Sequence, residues 1–352
     1  MEDRYSRHIL LDKFGEEGQA KMSKAKVVVV GCGGLGCLVA TYLAGAGVKS
    51  LTLIDGDSPD VSNLHRQVMY TTTEQHPKSI ALATQLKALN PLVEYISVTE
   101  YLTKVAVEDH LFGADVVIEC TDDQACKYLV NDYCALENIP MIYGAIHKYE
   151  GYVSVFINQS EDDVHLRDIF PQPDMNIPSC SEVGVLSTTA GLISMMQANE
   201  AIKLISGVGQ TLDGKLLTYN VLDNRQMTLK IQKSWEGDLE EVYEETDYTP
   251  ADCIIVPSVS VEELIADPES YTLLSILTAQ ENAVIDQEMI DVKWTDKEKI
   301  IALAKDQKCI VCCRSGRKSK ALVSQILTDH PSLHLANLEG GLMAYQRFKA
   351  SH

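Results

Sequence analysis

The residues most suited to binding a ligand begin with a glycine cluster and end with an acid. Gly31, Gly33, Gly34 and Gly36 follow four consecutive valines, and apolar residues at helical spacing come after them. Glycines permit a sharp turn and a close approach of the backbone, and the free N–H groups of the following helix attract an anion. Asp55 ends the next apolar run, nineteen residues beyond Gly36. A carboxylate in that place can bind ribose hydroxyls, so the pattern predicts a nucleotide site.

Three charged residues further along the chain indicate which nucleotide binds. Arg66 and Lys78 follow the second apolar run, and both are cations suited to a triphosphate. Asp122 follows a third apolar run, which would place it at the carboxyl edge of a parallel sheet, where ligands bind. One acid and two cations suit ATP with Mg²⁺ better than NAD. We expect Arg66 and Lys78 to hold phosphates and act in catalysis, and Asp122 to bind the magnesium ion.

A second reactive group lies near the C-terminus. Cys313 ends an apolar strand and is followed by a short loop and a helix. Successive loop N–H groups can form an anion-binding nest around the sulfur, and the charges of Arg314, Arg317 and Lys318 favour a thiolate or a persulfide. A cysteine phosphatase needs an arginine six residues after its cysteine. Ser319 stands there, which excludes that class.

Several motifs along the chain together resemble the ThiF/MoeB/HesA family, the bacterial relatives of ubiquitin-activating enzymes. They are Arg4-Tyr5-Ser6-Arg7, G-C-G-G-L-G from Gly31, the D-x-D of Asp55 and Asp57, S-N-L-x-R-Q from Ser62 to Gln67, Pro77-Lys78 and Thr121-Asp122. The resemblance runs from about residue 3 to about residue 232. It implies an ATP-dependent adenylyltransferase in which Asp57 and Asn63 also bind the nucleotide. It further implies a homodimer, with Arg7 completing the site, often that of the other subunit.

The same resemblance draws attention to a cysteine on a loop. Cys180 lies shortly before a long apolar helix, near residues 187–205, where a thiolate is stabilised. In the family, a cysteine in this context can act as a nucleophile toward the activated carrier protein. A half-buried loop thiol without a catalytic role is the alternative.

The C-terminal part resembles a rhodanese-like sulfurtransferase domain. The resemblance rests on the Cys313 loop and on Asn337-Leu338-Glu339-Gly340-Gly341-Leu342, and it places Cys313, not Cys312, at the catalytic position. Where that family has a D-V-R motif, residues 274–277 read Leu-Ser-Ile-Leu. This departure leaves open whether the domain transfers sulfur on its own.

The elements that position these residues alternate between strand and helix. An α/β fold is predicted, with a Rossmann-like, doubly wound, mainly parallel sheet and a second, small α/β rhodanese-like domain. Strands are expected at 27–30, 51–54, 93–98, 115–119, 140–143 and 151–158, with two more within 215–232. Helices are expected at 3–24, 34–46, 75–89, 104–111, 123–137 and 187–205.

The domain boundary is expected at an acidic run. Residues 236–247 contain seven acids and no base, which is typical of an extended linker. We expect an adenylyltransferase domain over 1–235, an acidic linker over 236–252 and the rhodanese-like domain over 253–352.

Composition limits the partners and the compartment. A net charge of −20 disfavours nucleic acid, and the chain contains no apolar run long enough to span a membrane. The charged N-terminus lacks a signal-peptide core, so a cytoplasmic protein is expected. Related proteins often carry two C-x-x-C pairs that hold zinc. Here His165 and Asp168 stand near the first pair and acids at the second, so no zinc is expected.

The leading hypothesis is ATP-dependent adenylation of a small ubiquitin-like sulfur carrier ending in Gly-Gly. Sulfur would come from a donor such as a cysteine desulfurase and pass through Cys313, with Cys180 as a second candidate. A first alternative adenylates another carboxylate, such as that of a tRNA base, and a second is a nicotinamide-dependent oxidoreductase. A third makes the C-terminal domain a docking module, which intact thiocarboxylate formation by a Cys313→Ala variant would favour.

Overall fold

The computed structural model describes residues 4–173, 184–246, 248, 256–277, 289–293 and 296–351. It divides into two compact units, Met1–Pro250 and Ala251–His352, and the division falls inside the predicted linker. Among the described residues, no helix is both long enough and apolar enough to cross a bilayer.

The buried valines at 27–30 form the centre of the first unit. They belong to β1, Lys26–Val30, which pairs in parallel with β2, Ser50–Ile54, on one side and β4, Val116–Glu119, on the other. Their side chains enter alternate hydrophobic cores, one on each face of the sheet. Side chains of a strand alternate between faces, so an unbroken apolar run is what a strand covered on both sides requires.

The large sheet has eight strands in the order β3-β2-β1-β4-β5-β6-β7-β8. The remaining strands are β3 (Glu94–Val98), β5 (Met141–His147), β6 (Glu150–Phe156), β7 (Lys215–Asn220) and β8 (Arg225–Lys230). Pairing is parallel from β3 to β5 and antiparallel from β5 to β8. The chain winds outward in both directions from the β1–β4 pair, which makes the carboxyl ends of these two strands the switch point where ligands bind. The predicted doubly wound, mainly parallel fold is confirmed.

The predicted helices are present, with one exception at the N-terminus. Those of the first unit are α1 (Ser6–Ile9), α2 (Gly15–Met22), α3 (Gly36–Ala46), α4 (Lys78–Leu89), α5 (Val107–Leu111), α6 (Gln124–Leu136), α7 (Leu166–Ile169), α8 (Ser187–Ser206) and α9 (Leu239–Glu245). The single helix expected over 3–24 is wrong, because two helices occupy that stretch. Gly15, the first residue of α2, has a φ of +54°, and this left-handed conformation interrupts the right-handed helix that would otherwise continue from α1.

The prediction that 236–247 is extended is also wrong. Asp238 accepts the N–H of Glu241 and caps α9, whose apolar residues Leu239, Val242 and Tyr243 recur at helical spacing. The Tyr243 ring lies between Tyr133 of α6 and Tyr248, with ring centroids 6.4 and 5.8 Å away. These ring contacts anchor the acidic segment to the first unit.

A buried ion pair fixes the segment that leads to residue 173. Arg167 of α7 donates from Nε and Nη2 to the Asp132 carboxylate of α6 at 2.8 and 2.6 Å. Tyr248 donates its hydroxyl to the same carboxylate at 2.5 Å. The Arg167 pair therefore ties α6, α7 and the end of the first unit together.

Among the described residues, no group of three or more His, Cys, Asp or Glu side chains is placed to hold a metal ion.

Asp168 makes a second anchor beside this pair. Its carboxylate accepts the backbone N–H groups of His165, Ser234 and Trp235 at 2.9, 2.8 and 2.9 Å. Burial alone would raise the pKa of Asp168, but these donors outweigh it and hold the pKa below its usual value. The ionised carboxylate thus stabilises the fold.

The second unit is a five-stranded parallel sheet in the order β11-β10-β12-β13-β9. Its strands are β9 (Ser258–Val259), β10 (Thr272–Ser275), β11 (Met289–Asp291), β12 (Cys309–Cys312) and β13 (Leu335–Leu338). Its helices are α10 (Val261–Ala266), α11 (Lys297–Asp306), α12 (Arg317–Asp329) and α13 (Gly341–Ser351). Two hydrophobic cores share the side chains of β12, so this unit also has apolar layers on both faces.

The lowered pKa of Asp168 predicts a pH-dependent anchor. Because the folded pKa lies below the unfolded one, the stabilisation is complete above about pH 4 and is lost as the pH falls further. We expect Asp168→Asn to destabilise the first unit by about 1–2 kcal/mol at pH 7, and by less at pH 3. Hydrogen exchange of residues 231–235 would report it, with the exposed Asp162→Asn as control. Equal protection in Asp168→Asn and wild type at pH 7 would contradict the assignment.

Candidate nucleotide and sulfur-transfer sites

The glycine turn at the end of β1 tolerates no side chain at two positions. Gly31 has a φ of +90°, and a Cβ there would lie 2.9 Å from the carbonyl carbon of Cys120. A Cβ on Gly36 would lie 1.8 Å from the Gly31 carbonyl oxygen. The helix α3 begins at Gly36 without a side-chain cap, and the Cys37 N–H donates to the Gly33 carbonyl at 3.2 Å. The N–H groups of Leu35 and Gly36 have no partner among the described residues and remain available to an anion.

Asp55 shapes this turn as well as facing it. Its carboxylate accepts the N–H of Cys32 at 2.7 Å and the N–H of Asp57 at 2.8 Å. Burial raises the pKa of Asp55, and the charge of Lys78 opposes that rise. Binding of ribose by Asp55 stays a prediction, while its hold on the glycine turn is visible in these hydrogen bonds.

Lys78 lies within this acidic pair. It is the first residue of α4 and only 4% exposed, and its Nζ lies 2.8 Å from Asp57 Oδ2 and 3.8 Å from Asp55 Oδ1. Burial would lower the pKa of Lys78, but the two carboxylates outweigh burial and raise it. The lysine is therefore charged at neutral pH and fixed next to the glycine turn.

Tyr101, which the sequence did not single out, holds the other side of Asp57. Its hydroxyl donates to Asp57 Oδ1, and its ring packs against Gly56. Tyr101 follows β3, the neighbour of β2 in the sheet. The ends of adjacent parallel strands meet at one edge, so a search of the residues after each predicted strand would have included it.

Arg66 lies over the glycine turn. The side chain is 9% exposed, and its Cγ would be 3.2 Å from a Cβ on Gly34. The backbone oxygen of Asn63 accepts the N–H groups of Arg66 and Gln67 at 3.1 and 2.9 Å, which fixes the turn that carries them. Gln67 is also buried, with its amide nitrogen near Gly33, and it was missing from the predicted site.

Asp122 is exposed at the carboxyl end of β4, on the turn before α6. After Asp55 and Asp57, its charge also contributes to raising the pKa of Lys78. Beneath the turn, Lys127 donates to Glu119 Oε2 at 2.5 Å and to the Thr121 carbonyl at 2.7 Å. Burial would lower the pKa of Lys127, but Glu119 outweighs burial and raises it. This buried ion pair, also missing from the predicted site, fixes the turn that presents Asp122.

Two predicted site residues are not joined to this group. Arg7 is exposed on α1, and no hydrogen bond or ion pair connects its side chain to another residue in the described part of the chain. Cys180 lies outside the described residues. The structure thus brings together the glycine turn, Asp55, Asp57 and Lys78, with Arg66 and Asp122 at its edges.

The Cys313 loop in the second unit is built by close backbone contacts. Gly316 has a φ of +84°, and a Cβ on Gly341 would lie 2.2 Å from the Cys313 carbonyl oxygen. That oxygen accepts the N–H of Leu342 at 3.0 Å. Cys313 is 4% exposed, and its sulfur lies within 3.4 Å of the N–H nitrogen of Ser319 in the first turn of α12. Arg314 and Lys318 are exposed beside the loop.

Comparison with known proteins identifies the family of the first unit. Residues 5–238 match the family model described as "ThiF family". The chain belongs to the ThiF family. The match covers the glycine turn, Arg66, Lys78 and Asp122.

Relatives of known name support this membership, and one of them matches almost the whole chain. A "SAMP-activating enzyme E1" of Haloferax volcanii is 40% identical over 63% of this chain and 82% of its own length. A "Sulfur carrier protein adenylyltransferase" of Thermus thermophilus is 38% identical over 66% of this chain and 88% of its own. A "Probable adenylyltransferase/sulfurtransferase MoeZ" of Mycobacterium tuberculosis is 30% identical over 98% of this chain and 92% of its own.

Solved structures agree on the fold. The crystal structure titled E. coli MccB + ATP has a TM-score of 0.58 to this chain, with 21% identity. It covers 66% of this chain and 72% of the other. At this identity the likeness concerns the fold alone.

The glycine turn yields a sharp test of the site. We expect Gly36→Ala to destabilise the first unit by about 1–3 kcal/mol, because the added methyl group would overlap the Gly31 carbonyl oxygen. Gly45→Ala in the same helix is the matched control, since a Cβ at Gly45 meets nothing within 4 Å and alanine favours a helix by up to about 1 kcal/mol. Urea unfolding followed by circular dichroism measures both. A Gly36→Ala variant as stable as Gly45→Ala would contradict the close approach.

Proposed function

We propose that this protein uses ATP to adenylate the C-terminal glycine of a small ubiquitin-like sulfur carrier and then transfers sulfur to it. The observation that carries the proposal is the placement of two cations, Arg66 and Lys78, beside a glycine turn at the switch point of the sheet. The carrier-activating and sulfur-transferring names of the relatives agree with it.

The first step is attack of the carrier carboxylate on the α-phosphorus of ATP, with pyrophosphate as the leaving group. The protein contributes position and charge rather than covalent chemistry. The α3 N–H groups, Arg66 and Lys78 hold the phosphates, and Asp57 with Tyr101 keeps Lys78 in place. Asp55 accepts ribose hydroxyls, and Asn63 lies at the edge of the nucleotide.

Asp122 is the proposed magnesium ligand. Mg²⁺ in nucleotide sites is held by one or two carboxylates together with phosphate oxygens, and an exposed carboxylate at the carboxyl end of β4, the neighbour of β1, fits that requirement. The ion would neutralise phosphate charge when bound. The Glu119–Lys127 pair below keeps the Asp122 turn in one conformation.

Arg7 and a homodimer complete the proposal for the first unit. Arg7 is exposed and has no hydrogen-bonding or ion-pair partner among the described residues, which leaves its guanidinium available to a second copy of the chain. We assign it to the nucleotide bound by that copy.

The second step moves sulfur through Cys313. A persulfide donor, such as a cysteine desulfurase, passes its terminal sulfur to the Cys313 thiolate and leaves as a thiolate. The Cys313 persulfide attacks the acyl carbon of the adenylate, and AMP leaves. A thiol reductant then attacks Cys313 Sγ, which releases the carrier thiocarboxylate and leaves a mixed disulfide, and a second reductant thiol reduces that disulfide to the free Cys313 thiol. Cys180 is the second candidate, as a nucleophile toward the activated carrier.

Exchange of labelled pyrophosphate into ATP tests the first step directly. With a Gly-Gly-ending carrier present, we expect Lys78→Met to lower the exchange rate by about 100-fold or more, because a fixed charge on the phosphates is lost. Lys87→Met, in the exposed part of the same helix, should exchange at the wild-type rate. Exchange that needs no carrier but requires a different carboxylate would support a related activating enzyme instead. The absence of exchange with any carrier would contradict the proposal.

A further inference from the structure

The sulfur of Cys313 lies against one buried serine. Ser319 is the third residue of α12, and both its N–H nitrogen and its hydroxyl oxygen lie near Cys313 Sγ, at 3.4 and 3.2 Å. The N–H of a helix's first turn has no partner within the helix, so the sulfur takes the place of that missing acceptor. Ser319 is fully buried, which keeps water from competing for its hydroxyl.

The Ser319 hydroxyl has three neighbours and one proton. Its oxygen lies 3.2 Å from Cys313 Sγ, 3.1 Å from the Gly316 carbonyl oxygen and 2.6 Å from Asn337 Oδ1. A hydroxyl donates one hydrogen bond at a time, and a separation of 2.6 Å between two oxygens requires a proton between them. In this arrangement the hydroxyl donates to Asn337, and the sulfur receives only the backbone N–H.

Asn337 can reverse the direction of this bond. Its side chain comes from β13, is 4% exposed, and is an amide, so a half-turn about its last bond exchanges an acceptor for a donor. With the amide nitrogen facing Ser319, Asn337 donates to the hydroxyl oxygen. The hydroxyl proton is then released toward the sulfur. An aspartate could not do this, because an ionised carboxylate only accepts.

We propose that Ser319 and Asn337 form a reversible donor pair that positions the sulfur of Cys313 and stabilises its negative charge. The hydroxyl donates to Asn337 while the sulfur is a neutral thiol, and it donates to the sulfur when that atom carries negative charge, as a thiolate or a persulfide. Ser319 is a positioning residue for sulfur transfer, and Asn337 sets its orientation. This inference rests on the proposed role of Cys313 as the sulfur-carrying group.

Other charged and titratable groups near the Cys313 loop also influence the titration of its sulfur. The charged or titratable groups on the loop and on the elements around it include Cys312 in β12, Arg314 and Lys318 on the loop and α12, Glu339 after β13 and Tyr345 in α13. The substitutions of Ser319 below leave all of them in place and add no charge. A change in the pH response of those variants can therefore be assigned to the donor pair.

The test is the rate at which iodoacetamide alkylates Cys313 in the full-length protein between pH 5 and pH 10. The tryptic peptide 309–314 contains Cys309, Cys312 and Cys313, and fragmentation in the mass spectrometer separates them. We expect Ser319→Ala to move the midpoint of the pH profile upward by about one unit, which is a roughly tenfold slower reaction at pH 7. Ser319→Thr keeps the hydroxyl and should restore the wild-type midpoint.

Asn337→Asp should also raise the midpoint, both because the hydroxyl stays committed to the carboxylate and because the carboxylate adds a negative charge near the sulfur. Ser319→Ala in the Asn337→Asp background separates the two effects, since a hydroxyl that already points away from the sulfur should cause no further shift when it is removed. Ser324→Ala, another buried serine of α12, is the matched control and should leave the midpoint unchanged. Equal midpoints for Ser319→Ala and wild type would overturn the proposal, as would equal shifts for Ser319→Ala and Ser319→Thr, which would indicate packing alone. If Ser319→Ala does not fold, Ser319→Gly, which also removes the hydroxyl and adds no atom, takes its place under the same criteria.

The alkylation assay needs neither ATP nor a carrier. A failure of pyrophosphate exchange would contradict the proposed adenylation and leave the alkylation result standing. The absence of a midpoint shift in Ser319→Ala would contradict the donor pair and would not bear on the proposed adenylation.

Discussion

The nucleotide site depends on the close approach of two glycines at the end of β1. The space between Gly36 and the Gly31 carbonyl is too small for a single methyl group, so the helix α3 can start directly above the strand. This contact aims the free N–H groups of α3 at the switch point of the sheet. Every other residue of the site is placed relative to that turn.

Two buried charges beside the turn, Asp55 and Lys78, lie within ion-pair distance of each other, and the half-exposed Asp57 also pairs with Lys78. Asp55 holds the backbone of the turn, Lys78 lies between Asp55 and Asp57, and Tyr101 fixes Asp57 from the far side. An unpaired buried charge costs several kcal/mol, so these groups stabilise one another's positions. An arriving phosphate would meet cations that are already oriented, which is the condition for electrostatic stabilisation without reorganisation.

The sequence was a good guide where local pattern and topology coincide. Four buried valines, glycines at the turn and acids at strand ends predict the sheet and the residues at its edge, because parallel strands end at one side. Tyr101 escaped because its role depends on which strands become neighbours. The Glu119–Lys127 pair joins β4 to the next helix at a spacing of eight residues, which matches no regular strand or helix period. Tyr101 meets Asp57 across 44 residues of chain. No local pattern signals such a contact.

Two incorrect predictions, the extended acidic linker and the single N-terminal helix, have the same physical origin. The acids of residues 236–247 concealed the helical spacing of Leu239, Val242 and Tyr243, and aromatic packing outweighed like-charge repulsion. At the N-terminus, a polar run with one glycine was predicted as a single helix, and the left-handed Gly15 divides it. In both cases a few residues that set conformation or packing outweighed the average character of the segment.

The most direct measurement of the central claim is a crystal structure of the protein with Mg-ATP. The account predicts phosphate oxygens within about 2.7–3.2 Å of the first N–H groups of α3 and of the Arg66 and Lys78 side chains, with Asp122 on the magnesium side. A triphosphate bound away from the glycine turn, with Arg66 and Lys78 directed toward bulk solvent, would contradict it.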